Sequence, residues 1–448
     1  MQPLPLATSA ADGGAALIWG LPFAALLLSV ALLPILAPRL WHRRMGLVAL
    51  FWGLALLVPQ AILFGPGFAA AGAWHAVLTE YLPFISLLAA IYAIGGGVLL
   101  AGGPWGTPVG NTLLLALATA TAALAGPLAA SMVLIHPLLR ANAHRPRRVH
   151  LVVFFIVLVC NVGGLTTPLG NPPLYIGLLL GVPFLWPMAA LWRLLLLLTL
   201  PLLAVFWLID RHLASAAPPP PPPRPLRLRG WGNIALLVLV VAVVLVQSAW
   251  RPGETDLFGT RVGLEHLLGA AVFGIAAVIS IVATPRAVRR ANMFDWAPMR
   301  EVAKLFAAIF VTITPVLAML EAGRDGPLGG LLRLATDAAG QPAPAAYFWL
   351  AGILSAVLDN APTYLLFFRL AGGDAAQLTL APATALMAIS AGAVGFGALT
   401  YIGNAPNLMV RAIAVHGGVR MPGFFGYMLY ASALLLPGFV ALTLLFFL

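Results

Sequence analysis

Charge is the scarcest commodity in this chain. Only 8% of its 448 residues are Asp, Glu, Lys or Arg, against about 25% in a soluble globular protein. So few charges cannot cover a water-facing surface, which excludes a soluble enzyme, a nucleic-acid binder and a disordered chain. Cysteine is limited to Cys160, so no intrachain disulfide forms and no Cys-based metal site is expected. Lysine is limited to Lys304. The sequence has no HExxH and no paired-Asp signature, and its acids are scattered, which argues against a membrane-embedded enzyme.

Apolar sequence fills the chain instead. Hydrophobic residues make up 62% of it, and the mean hydropathy is +1.00. Apolar stretches of about 20 residues recur from end to end, the pattern of a polytopic membrane protein. Backbone groups in lipid must be paired within the segment, so the spans are helices and the fold class is all-α. No basic residue precedes the first apolar core and the Arg cluster follows it, unlike a cleavable signal peptide. The net charge of +11 does not point to nucleic acid, because the arginines sit in short clusters between apolar runs.

Spans are expected at about 17–37, 45–64, 80–100, 187–209, 232–250, 261–284, 300–320 and 424–446, with an amphipathic stretch at 326–340. Two runs are interrupted. The run 109–140 breaks at Gly126-Pro127, and the run 345–371 breaks at Asp359-Asn360-Ala361-Pro362. If 109–140 turns back on itself, the clusters Arg39/Arg43/Arg44, Arg140/Arg145/Arg147/Arg148 and Arg286/Arg289/Arg290/Arg300 all face one side, as the positive-inside rule requires. That side is the cytoplasm, with the N-terminus outside. The segment 211–231, with six prolines at 218–223, reads as an extended cytoplasmic linker. The expected organisation is therefore a tail 1–16, a first inverted repeat 17–210, the linker 211–231 and a second inverted repeat 232–448. Each repeat has a re-entrant hairpin (109–140 and 345–371) and a broken transmembrane helix (149–186 and 381–416).

A duplicated motif carries this reading. Residues 164–173 and 397–406 both read G-x-x-T-x-x-G-N-x-P. Gly164/Gly397, Thr167/Thr400, Gly170/Gly403 and Asn171/Asn404 are each separated by 233 (397 − 164 and so on). At a similar offset, Pro127–Ser131 matches Asp359–Thr363 (359 − 127 = 232). Such breaks free carbonyls and amides near the bilayer midplane, where Thr hydroxyls and Asn amides add short oxygen ligands suited to a hard cation such as Na⁺. Asp359 is the one carboxylate expected at membrane depth, where insertion costs about 2.5–3.5 kcal/mol. Burial favours its protonated form and a bound cation its ionised form, so one site can exchange H⁺ for Na⁺. Asp-Asn-Ala-Pro is also a good helix start, so capping and ion chemistry both remain open there. His136 reads as a packed histidine. Arg411, seven residues past Asn404, is expected to snorkel, with contact to an anionic substrate as the alternative.

The stretch 85–190, with Ala130-Ser-Met-Val-Leu-Ile-His-Pro-Leu-Leu-Arg-Ala-Asn142 and Asn161-Val-Gly-Gly-Leu-Thr-Thr-Pro-Leu-Gly-Asn-Pro-Pro173, resembles the citrate transporter-like (CitMHS-type) branch of the ion transporter superfamily. Asp359–Pro362 and Gly403–Pro406 resemble its second repeat. The resemblance implies a sodium:proton antiporter of the inner (cytoplasmic) membrane. It also implies a homodimer with an elevator-type mobile domain and no cofactor beyond the transported ions. The alternative is cation-coupled transport of citrate, a dicarboxylate or another anion. By this resemblance the first-half site comprises Ser131, Asn161, Gly164, Thr166, Thr167, Gly170 and Asn171. The second-half site comprises Asp359, Asn360, Thr363, Thr400, Gly403 and Asn404. Thr167, Asn171, Asp359, Thr400 and Asn404 are the candidate Na⁺ ligands. Two positions depart from the related pattern: Gly126-Pro127-Leu128-Ala129 replaces a Thr-Thr-Gly-like tip, and Asn171 stands where Asp is common.

Overall fold

A computed structural model describes the chain except residues 1–12, 170, 216–217, 220–221, 223, 323–325, 337–342 and 381–382. Among the described residues, ten helices are long and apolar enough to cross a membrane, from Ala16–Pro34 to Phe424–Phe447. They form a multi-pass membrane protein. Proline sits at the first turn of many of them, as at Pro38, Pro66, Pro108 and Pro127, where its missing N–H costs no hydrogen bond and its fixed φ is already helical.

Burial sorts the helices into an inner and an outer set. The Val149–Thr166 segment is 94% buried, whereas Arg43–Phe64 is 17% buried. A helix apolar all round but exposed, such as Arg43–Phe64, faces lipid. The buried segment is the molecular centre, and it is one of the two interrupted helices.

Both interruptions have the same form. The first helix runs Val149–Phe155, loosens into a π-turn at Ile156–Asn161, tightens into a 3₁₀ turn at Val162–Thr166 and becomes extended at Thr167. It resumes as Pro172–Leu179. The second runs Thr384–Phe396, tightens into a 3₁₀ turn at Gly397–Leu399, becomes extended at Thr400 and resumes as Ala405–His416.

Each interrupted run expected to turn back is a pair of helices packed on each other. Pro108–Ala125 and Pro127–Ala141 join at Gly126, while Pro344–Leu358 and Asn360–Leu370 join at Asp359. The joints adopt nearly one backbone conformation: Gly126 has φ 92°, ψ 151° and Asp359 has φ 79°, ψ 149°. Asp359 therefore corresponds to Gly126 rather than to Pro127. The offset becomes 233 (359 − 126), the same as for the G-x-x-T-x-x-G-N-x-P motif.

The second arm of each pair packs across the midpoint of the chain. Pro127–Ala141 lies against Ala405–His416, and Asn360–Leu370 lies against Pro172–Leu179. Gly177 allows the second approach, since a Cβ there would sit 2.5 Å from the Tyr364 hydroxyl.

Several expected boundaries shift. Helix Pro66–Ala76 continues through a π-turn at Val77–Tyr81 into Leu82–Gly95, so the span expected at 80–100 begins and ends earlier. Residues Leu99–Gly103 leave the helix to form a strand. Its antiparallel partner is Arg224–Arg229, so this part of the expected free linker is tied to the first half. Helix Trp186–Ala214 also runs into that linker. The helix after the first interruption stops at Leu179 instead of reaching 186, because Gly181 at φ 98° turns the chain before Pro183. The amphipathic stretch 326–340 reduces to helix Gly329–Leu334, and 337–340 lie outside the described residues. A short hairpin, Glu254–Leu257 with Thr260–Gly263, completes the non-helical structure among them.

Candidate ion and substrate site

The two interruptions meet through asparagines. Asn161, fully buried at the end of the π-turn, donates from Nδ2 to Asn407 Oδ1 at 2.8 Å. Its Oδ1 accepts from Asn404 Nδ2 at 3.2 Å. Asn404 Nδ2 also reaches the Cys160 carbonyl at 2.8 Å. Asn407 Nδ2 then donates to the carbonyls of Gly397, at 2.8 Å, and Thr400, at 2.9 Å. A π-turn exposes carbonyls that a regular helix would consume, and here Cys160 supplies one to the opposite half.

Around that junction the expected residues fall into smaller groups. Thr400 Oγ1 donates to the Ala356 carbonyl at 2.5 Å and accepts from the Gly403 amide at 3.0 Å. This ties the second interruption to the helix turn that leads into Asp359. Gly403 has no room for a side chain: a Cβ would lie 2.7 Å from the Gly397 carbonyl and 3.0 Å from that of Ser355. In the first half, Asn171 Nδ2 bonds the Gly164 carbonyl, and Gly164 packs on Pro127 beside the Gly126 joint. Thr167 Oγ1 accepts from the Leu169 amide at 3.1 Å, and Thr166 donates to the Ala123 carbonyl at 3.3 Å. Ser131 Oγ lies 3.3 Å from Cys160 Sγ. Gly170 lies outside the described residues. The hydrogen bonds between the two interruptions thus run through Cys160 and Asn161, while those of Thr167 and Asn171 stay within the first half.

Asp359 is 5% exposed. Its Oδ1 accepts from the Asn360 amide at 2.7 Å, and its carbonyl accepts from Thr363 Oγ1 at 2.9 Å. Among the described residues no Arg, Lys or His is ion-paired with it. Its backbone lies next to a region that is essentially confined to glycine and costs other residues about 1–3 kcal/mol. Asn171 Oδ1, Asn404 Oδ1 and both polar atoms of the Asn360 side chain are buried without a hydrogen-bond partner. Buried amides normally have one. Amide oxygens and a carboxylate are the ligand types a monovalent hard cation takes; Asn171 and Asn404 each precede the resumed half of a broken helix, and Asn360 follows the Asp359 joint. Among the described residues no three His, Cys, Asp or Glu side chains gather.

A family model described as "putative citrate transport" (CitMHS_2) matches residues 13–447. The chain belongs to this family. The match takes in both interruptions and both helix joints of this citrate-transport family member, and it makes the chain a transporter. No curated protein matches it.

Two features of the structure were not read from the sequence. Asn407 has no copy in the first half, where Leu174 stands (407 − 233); its signal was a lone amide in an apolar helix one turn past Asn404. Asp210, expected at a span end, is fully buried. It pairs with Arg145, with His150 Nε2 at 2.8 Å and with Asn111 Nδ2 at 2.9 Å. Asn142 bonds Asn111 in turn. This network fastens the open end of the first helix pair to helix Trp186–Ala214. Arg411 stacks its guanidinium 4.8 Å from the Tyr401 ring, inside the second interruption.

Proposed function

We propose that this chain is a Na⁺/H⁺ antiporter of the cytoplasmic membrane, with Asp359 as the carboxylate that exchanges one cation for the other. One observation supports this above the rest. At the equivalent joint the first half uses glycine, yet the second half holds an unpaired carboxylate in a backbone conformation that disfavours it. A residue kept against both strain and burial needs a return that packing does not give. With H⁺ bound, Asp359 is neutral in its buried site. With Na⁺ bound, the unpartnered amide oxygens and the carboxylate share the ion.

In this reading residues 17–210 and 232–448 are inverted repeats, and the helix pairs joined at Gly126 and Asp359 are re-entrant. The second arms and broken helices then move together in an elevator-type cycle within a homodimer. The N-terminus lies outside and residues 211–231 are cytoplasmic. Purified protein in vesicles tests the exchange. An imposed Na⁺ gradient should drive opposite proton flux in the wild type and none in Asp359→Asn; unchanged Na⁺-dependent flux in the variant removes the proposed role.

Cation-coupled citrate or dicarboxylate transport is the second reading. It is favoured by the family description and by the Arg411 guanidinium beside the second interruption, a group able to meet a carboxylate. Gradient-driven uptake of radiolabelled citrate, lost in Arg411→Gln, supports it. Absence of uptake under either a Na⁺ or a proton gradient counts against it.

A further inference from the structure

A second site lies away from the interruptions, where helix Leu264–Ala283 leaves the apolar zone. Residues Arg286–Ala291 form a short helix two residues beyond its end. Arg286, Arg289, Arg290, Met293 and Phe294 line a cleft of about 450 Å³. Arg289 is held in place: it donates to the Ala93 carbonyl at 3.0 Å and to the Ser280 carbonyl at 2.7 Å, and its guanidinium lies 4.8 Å from the Phe294 ring. Arg286 and Arg290 are exposed, and among the described residues neither has an ion-pair partner.

Their spacing is unfavourable for the bare protein. Residues four apart on a helix are neighbours, and like charges there repel. The positive-inside rule asks for arginine on this side, but not for three around one cleft with an apolar wall. Met293 is 46% exposed, and Val282 and Ile279 on the adjoining helix are 79% and 47% exposed. Ile279 and Val282 lie on the last turns of the helix that ends at Ala283, two residues short of the one begun by Arg286.

We infer that this cleft binds the phosphate headgroup of an anionic lipid, with Arg286 and Arg290 on the phosphate and the acyl chains along Met293, Ile279 and Val282. Basic pockets at the cytoplasmic ends of transmembrane helices suit such headgroups. A free phosphate shares the headgroup chemistry but has no use for the apolar wall, which is why the lipid is the assigned source.

Native mass spectrometry of the full chain, released from phosphatidylcholine vesicles doped with phosphatidylglycerol, reads the bound lipid directly. Wild type should retain phosphatidylglycerol in preference to phosphatidylcholine. Arg286→Gln/Arg290→Gln should bind it about thirtyfold more weakly, the weight of two arginine contacts. Both side chains are exposed and Arg289 is untouched, so the fold is preserved. Arg43→Gln/Arg44→Gln removes the same charge from the kink of helix Pro38–Phe64 and should leave retention unchanged. Equal loss in both double variants would reduce the effect to general surface charge and overturn the site, as would full retention in Arg286→Gln/Arg290→Gln. Displacement by inorganic phosphate as effective as by phosphatidylglycerol would overturn the assignment to lipid.

Discussion

Replacing Asp359 with glycine separates a chemical role from a structural one. The φ of 79° and ψ of 149° at this joint cost a residue with a Cβ about 1–3 kcal/mol, which glycine regains. Against that, glycine adds about 0.5–1 kcal/mol of unfolded-state entropy, and losing the side-chain bond to the Asn360 amide costs about 1 kcal/mol. Removing the buried carboxylate also regains part of its insertion cost of about 2.5–3.5 kcal/mol. Asp359→Gly should therefore be at least as stable as wild type, as followed by tryptophan fluorescence in detergent. Gly126 shows that the joint is compatible with glycine. Na⁺-driven proton flux should nevertheless vanish in Asp359→Gly and in Asp359→Asn. A glycine variant destabilised by more than about 2 kcal/mol, beside an asparagine variant that still transports, would make Asp359 a helix cap and refute the ion role.

Asp210→Asn should lower stability by about 3–5 kcal/mol, because it leaves buried Arg145 without its counter-charge; the yield of folded protein after membrane extraction reads this. Asn407→Leu, which copies the first-half residue, should cost about 2–4 kcal/mol by stranding Asn161 and the carbonyls of Gly397 and Thr400. Its melting temperature, compared with that of Asn404→Ala, checks this. Gly392→Ala should destabilise by about 1–3 kcal/mol, since its Cβ would lie 2.5 Å from the Phe348 carbonyl. Gly274→Ala, with nothing within 4 Å, is the matched control and should be silent in the same melt.

The spans and both interruptions were legible because lipid forbids unpaired backbone, so any run of Gly, Pro, Thr and Asn inside apolar sequence stands out. Asn404 and Thr400 could be found because they are duplicated. The register of the joint was misplaced by one residue: Pro127 was matched to Asp359 at an offset of 232 (359 − 127), whereas the shared feature is a positive φ, at Gly126 and Asp359, that the residue types alone do not reveal. The Asp210 network was hidden because its partners, Arg145, His150 and Asn111, are far apart in sequence. The strand Arg224–Arg229 was masked by the neighbouring prolines, although Leu226 and Leu228 alternate with arginine as a strand does.

The exchange of second arms has a consequence for biogenesis. Helix Pro172–Leu179 finds its cover in Asn360–Leu370, which the ribosome makes about 180 residues later (360 − 179). Until then that helix has only its contacts within the first half, such as Tyr175 on Pro83 and Phe84, and native packing of the first half waits on the second. A truncation anywhere before Leu370 is expected to leave Pro172–Leu179 without part of its native packing.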